Sequence, residues 1–137
     1  MEDKFMDLAM KEALKAYKKG NTPVGAVIVK DNKVIAKAHN QKNTSNIAVD
    51  HAEILVIRKT CKKLNSWRLN DCTMYVTLEP CQMCYGAIKE ARISKVVYIL
   101  KSKYNELMEN SDNLVIKTYK TDSEYLKILK GFFKEIR

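Results

Sequence analysis

Two cysteines, Cys81 and Cys84, stand in the stretch Thr77-Leu78-Glu79-Pro80-Cys81-Gln82-Met83-Cys84, and His51-Ala52-Glu53 lies upstream of them. A Cys-x-x-Cys spacing puts both sulfurs on one side of a tight turn that opens a helix. Thiolates there are favoured twice, by a zinc ion and by the positive end of the helix. His51 adds a nitrogen ligand from a separate segment. Two Cys and one His leave the fourth tetrahedral position to water, which is the ligand count of a catalytic zinc. Glu53 follows His51 closely enough to take a proton from that water.

Plainer explanations must be weighed against this one. A lone Cys-x-x-Cys also serves structural zinc sites and redox pairs. A four-cysteine structural site would need Cys61 and Cys72, which are eleven residues apart and lack the paired spacing. A redox pair leaves His51 and Glu53 unexplained. A lone His at a helix start is more often a cap or a surface residue. Here the Glu two residues on, with the distant Cys pair, reverses that expectation.

The rest of the chain must position these groups. At 137 residues it is long enough for one domain, residues 1–137, with a core that needs no staples. The opening Met1-Glu2-Asp3-Lys4 has no apolar run of a signal peptide, and the apolar stretch near Val24–Val29 is too short to span a bilayer. Two cysteines given to metal leave no disulfide framework. A cytoplasmic protein without a membrane association is the expectation. The net charge of +9 invites a nucleic-acid partner. Its weight is modest, because only four of the cations are arginines and the lysines are scattered.

Periodicity predicts an amphipathic helix over Lys4–Lys19, with Phe5, Leu8, Ala9, Ala13, Ala16 and Tyr17 on its apolar face and Gly20 as its cap. Val24–Lys30 and Lys33–His39 read as a hairpin turning at Asp31-Asn32. Gly25 inside the first strand lets another group approach the backbone closely. Asn40 leads into a polar loop, Gln41–Asn46, and on pattern alone is an ordinary loop asparagine. A second helix is expected over Asp50–Leu64, with His51 and Glu53 in its first turn and Cys61 as a buried hydrophobe. Thr73–Leu78 is a third strand, Cys81–Ala91 a third helix, and Lys95–Leu100 a fourth strand parallel to the third. This order places the metal at the carboxyl end of a strand, where open α/β sheets build sites. A short helix over Tyr104–Glu109, a fifth strand over Leu114–Tyr119 and a helix over Asp122–Ile136 complete the chain. The expected fold is a three-layer α/β/α sandwich around a five-stranded mixed sheet.

His-x-Glu followed by Pro-Cys-x-x-Cys is the signature of the zinc nucleobase deaminases. The likeness extends to Pro23-Val24-Gly25-Ala26-Val27, Asn40, Ser66-Trp67-Arg68-Leu69, Tyr75-Val76, Gly86-Ala87-Ile88 and Phe132-Phe133-Lys134-Glu135-Ile136-Arg137. Together these resemble the bacterial tRNA-specific adenosine deaminases, closely from about Lys4 to Leu100 and loosely thereafter. The resemblance implies a cytidine-deaminase-like fold, one Zn2+ per chain, a homodimer and a tRNA anticodon loop as substrate. It also implies that Asn40 contacts the target base and that Val24 and Gly25 line the pocket. Phe132 and Phe133, with Arg137, would lie near the anticodon loop, although core packing of the last helix explains the aromatic pair equally well.

The chain departs from that family's pattern in places. Ile47-Ala48-Val49-Asp50 stands where Asp-Pro-Thr-Ala is usual, Asn21 replaces an acidic residue, and the segment after Tyr98 is short. Cytosine and guanine deaminases share the zinc turn, so a free base, nucleoside or nucleotide remains an alternative substrate. A non-catalytic RNA-binding subunit is a third reading, disfavoured because it has no use for Glu53. In the deaminase reading Glu53 shuttles the proton, the backbone amides of Ala52 and Cys81 donate to substrate, and Asn40 selects the base edge.

Overall fold

A computed structural model describes residues 2–101, 113–120, 127, 128, 130 and 131. In chain order the elements are α1 (Glu2–Lys18), β1 (Gly25–Lys30), β2 (Lys33–His39), α2 (Lys42–Ser45), α3 (Ala52–Leu64), β3 (Cys72–Leu78), α4 (Gln82–Glu90), β4 (Lys95–Leu100) and β5 (Val115–Thr118). The strands form one sheet in the order β2-β1-β3-β4-β5. β1 runs antiparallel to both β2 and β3, whereas β3, β4 and β5 run parallel.

Alternation along the strands sorts the side chains into two cores. Ala26 and Ile28 of β1, Met74 and Val76 of β3, and Val96 and Tyr98 of β4 pack on one face with Val56 of α3 and Ile88 of α4. Val27, Val29, Tyr75, Val97 and Ile99 face the other way, onto Phe5, Met6, Ala9 and Met10 of α1. The sheet is therefore buried on both sides, as the expected α/β/α sandwich requires. Tyr17 departs from the expected apolar face of α1 and is exposed.

Local chemistry explains the joints. The β1–β2 turn uses Asp31 and Asn32 at φ 52° and 61°. Two consecutive left-handed residues make the hairpin turn whose twist matches its strands, and short polar side chains tolerate it. α1 ends at Gly20, with φ 81°, where the Gly20 and Asn21 N–H groups return to Tyr17 O and Ala16 O.

Several expected boundaries need correction. The Gln41–Asn46 loop contains the helical turn α2, closed by Asn46 in the left-handed region. Such a single turn is too short to leave a periodic signal. His51 and Cys81 are the N-caps of α3 and α4 and not members of their first turns. Cys61 is only partly buried, whereas Cys72 is fully buried. The expected Tyr104–Glu109 helix lies outside the described residues. So does most of the expected Asp122–Ile136 helix, including Phe132, Phe133 and Arg137; residues 127, 128, 130 and 131 are helical.

The group that approaches Gly25 is α1. A Cβ at this position would run into Ala9 O, lie 2.5 Å from Ala13 N and lie 2.7 Å from Glu12 Cβ. Two of these obstacles are backbone atoms, which cannot rotate away. Gly25→Ala is therefore expected to destabilise the fold by about 3 kcal/mol, the upper end of the overpacking range. Chemical denaturation measures this directly, and a loss below about 1 kcal/mol would mean that α1 slides to accommodate the methyl group.

Candidate active site

β3 ends at Leu78, and Glu79-Pro80 turns the chain into Cys81, the N-cap of α4. Pro80 cannot continue the ladder, so the strand must stop there. α3 begins one residue after His51. Two helix N-termini thus meet at one end of the sheet, and their partial positive charges favour anionic groups between them.

The ligating atoms of His51, Cys81 and Cys84 all lie within 4.8 Å of one another. His51 Nδ1 is 3.8 Å from Cys81 Sγ and 3.6 Å from Cys84 Sγ. Cys84 is buried, whereas His51 and Cys81 are partly exposed, so the cluster has one open side. Within this dithiol the Cys84 thiol donates to Cys81, which, helped by His51, holds Cys81 down at about 3. The same contact, reinforced by burial, pushes Cys84 far up. Such a pair yields one proton readily and the second only to a cation that takes both sulfurs. A nitrogen and two sulfurs at this spacing, with one side open, fit a zinc ion better than a harder cation.

Glu53 is almost completely buried in the first turn of α3. Burial pushes its carboxyl up to about 7 against the pull of its own backbone N–H and of His51. The Cys84 thiol is also a side-chain partner of this carboxylate, which places Glu53 beside the cluster on its buried side. His51 is itself raised, first by its contact with Cys81.

The β2–α3 connection leads into His51. Asn40 is buried, and its backbone N–H reaches Val24 O at 3.0 Å. Gln41 N donates to Asp50 O at 3.0 Å, which ties this loop to the residue before His51. Val24 and Gly25 are both buried at the start of β1, and Gly25 N donates to Thr77 Oγ1 at 3.2 Å. Ala52 is fully buried at the start of α3.

Three contacts escaped the sequence reading. Thr77 locks β1 to β3 beside the site, Asn21 binds the Asn40 loop from the end of α1, and the Lys42 charge acts on His51. Thr77 and Asn21 bind partners 52 and 22 residues away, which no spacing rule exposes. A cavity of about 880 Å3, lined by Asn70, Lys89, Arg92 and Ser94 among others, lies at the opposite end of β4 and includes no member of the cluster. Among the described residues, no helix is long and apolar enough to cross a membrane.

The family profile of MafB19-like deaminases matches residues 1–137. The tRNA-specific adenosine deaminase of Bacillus subtilis (strain 168) is 50% identical over 97 residues, covering 71% of this chain and 60% of that protein. The chain thus spans less than two thirds of that relative's length. The tRNA-specific adenosine deaminase of Aquifex aeolicus (strain VF5) is 39% identical over 142 residues, covering 97% of this chain and 94% of that protein. A solved structure from work on A-to-I editing by tRNA:A34 deaminases at the wobble position has TM-score 0.75 at 35% identity, over 84% of this chain and 98% of that one. The guanine deaminase of Bacillus subtilis has TM-score 0.72 at 34% identity, over 98% of this chain and 94% of its own. With a profile match from end to end and the His51, Cys81, Cys84 and Glu53 constellation in place, the chain belongs to the MafB19-like deaminase family.

Proposed function

We propose that this protein is a single-domain, zinc-dependent deaminase that converts adenosine to inosine at the wobble position of a tRNA anticodon. The observation that carries the substrate is the near full-length relationship to the Aquifex aeolicus tRNA-specific adenosine deaminase. His51, Cys81 and Cys84 would hold one Zn2+ per chain. When bound, zinc lowers the pKa of its water from about 16 toward 7 and so supplies a nucleophile at neutral pH.

The chain's own residues supply the rest of the chemistry. Glu53 accepts a proton as water attacks C6 of the adenine, passes it to a ring nitrogen, and then assists departure of the amine as ammonia. Its burial favours this exchange, because the carboxylate is poorly solvated and its affinity for a proton is raised toward neutrality. The backbone amides of Ala52 and Cys81, at the two helix N-termini, donate to the oxygen that develops on the base. Asn40 holds the base edge, with Val24 and Gly25 on the pocket wall. Phe132, Phe133 and Arg137 are proposed as RNA contacts by resemblance. A homodimer working in the cytoplasm completes the proposal.

A second reading has its own support. The likeness to the Bacillus subtilis guanine deaminase runs nearly end to end, at 34% identity. The comparison that decides is turnover on an anticodon stem-loop against guanine, cytosine and their nucleosides and nucleotides at matched concentration. The stem-loop is expected to be the good substrate. Its binding should weaken steeply with salt, because each phosphate contact releases counterions. Free bases lack the phosphate and stacking contacts that position the target. Efficient guanine or cytosine deamination with the stem-loop untouched would overturn the tRNA assignment.

A further inference from the structure

We propose that Asn21, which lies outside the metal cluster, is a positioning residue for base recognition: it holds the 40–50 loop so that Asn40 presents its side-chain N–H groups to the base. This rests on the reading of Asn40 as the base contact.

The physical argument starts at α2. The first N–H groups of any helical turn have no partner within it, and the N-cap side chain usually satisfies one. Here the N-cap is Gln41, and it makes no side-chain cap bond. Other residues do the work. Asn40 Oδ1 accepts the Lys42 N–H at 3.0 Å. Asn21 Oδ1 accepts from Asn43 N at 2.8 Å and from Thr44 N at 3.1 Å. Asn21 Nδ2 donates to Thr44 Oγ1 at 2.7 Å. Asn21 therefore caps a helix that lies more than twenty residues away in sequence.

The anchor is firm at its other end. Asn21 is fully buried, and its backbone N–H is bound to Ala16 O at 2.9 Å in the last turn of α1. A weaker exposed strap, Asn43 Nδ2 to Gly20 O at 3.0 Å, runs alongside. With α2 held in this way, Lys42 N stays under Asn40 Oδ1 and fixes which end of that carboxamide is occupied. Asn40 Nδ2 makes no bond to the described residues and is left as the donor. A base recognised by Asn40 must then bring an acceptor. Without Asn21 the Asn43 N–H loses its side-chain acceptor, α2 drifts, and the Asn40 carboxamide can turn over.

Asn21→Leu keeps the branched shape and removes every polar contact. Its kcat/KM on the substrate that the wild type turns over best should fall about 10- to 100-fold, chiefly through KM, since displacements near 1 Å cost about that much. Asn21→Asp should recover most of it, because a carboxylate accepts both N–H groups and also the Thr44 hydroxyl proton. The discriminating measurement is the cycle with Asn40→Ala. If Asn21 acts through Asn40, Asn21→Leu adds no further loss in that background. Fully additive losses would mean a merely structural role and overturn the proposal.

A second readout is independent of substrate and of metal loading. Thr44 N also donates to Gln41 O at 3.0 Å, so the Asn43 amide is the reporter: its exchange should be slow in the wild type and in Asn21→Asp, and fast in Asn21→Leu at unchanged zinc content. Fast exchange in the wild type, or no change in Asn21→Leu, would also overturn it. This amide decides the loop's role even if the stem-loop proves not to be the substrate. Should Asn21→Leu fail to fold, Thr44→Val deletes one bond at an exposed position, and the same cycle is expected to show about a 2- to 5-fold effect.

Discussion

Replacing Glu53 by alanine is expected to leave the fold and the zinc in place and to cut turnover by about 100- to 10,000-fold, the range of a general acid–base group. The expectation follows from where the carboxylate sits. Glu53 is buried in the first turn of α3 and lies beside Cys84, yet among the described residues the ligand atoms that converge are those of His51, Cys81 and Cys84. It can therefore move protons without carrying the ion. Glu53→Gln sharpens the test, because it keeps the shape and removes only the basicity. Both variants should retain one zinc per chain by metal analysis and an unchanged far-ultraviolet spectrum. Loss of zinc in either would put Glu53 in the coordination shell and end its assignment as the shuttle.

Cys84→Ser carries the second large effect. Cys84 is the buried sulfur of the cluster, and its proton is the harder of the two to remove. A serine hydroxyl there cannot become an anionic soft ligand at neutral pH, so zinc content should drop from about one per chain to near zero. Turnover should vanish with it. Stability supplies an independent readout, since a ligand that binds only the folded state at 1,000 times its Kd adds about 4 kcal/mol. A strong chelator should lower the melting temperature of the wild type and leave Cys84→Ser unmoved. A wild type indifferent to chelation, or a serine variant that keeps its zinc, would remove the catalytic-metal reading.

Ion binding and proton transfer therefore have separate genetic signatures. Cys84→Ser is expected to lose metal and activity together, Glu53→Ala activity alone, and Gly25→Ala stability first. The separation has a structural cause. The candidate metal ligands are two helix N-caps and Cys84 in the first turn of α4, the proposed shuttle is in the first turn of α3, and the glycine sits at a helix–sheet contact.

Chemistry written in short spacings was legible in the sequence alone. Cys81-x-x-Cys84 and His51-x-Glu53 constrain their own geometry, because a helix start or a turn holds such neighbours within a few ångströms whatever surrounds them. The strands were equally legible, since alternating apolar residues admit one register with both faces buried. Tertiary structure alone decided what depended on distant partners. Pairing across the sheet brings Thr77 to Gly25, and the crossing of α1 over β1 makes Gly25 indispensable there. The end of α1 brings Asn21 beneath a helical turn too short to register as a period. Hydrogen bonds that close loops of twenty or fifty residues leave no spacing behind them, because the intervening chain can be almost anything that folds. For that reason the His51, Cys81 and Cys84 cluster could be read from the letters, and the cradle that holds the Asn40 loop had to be seen in three dimensions.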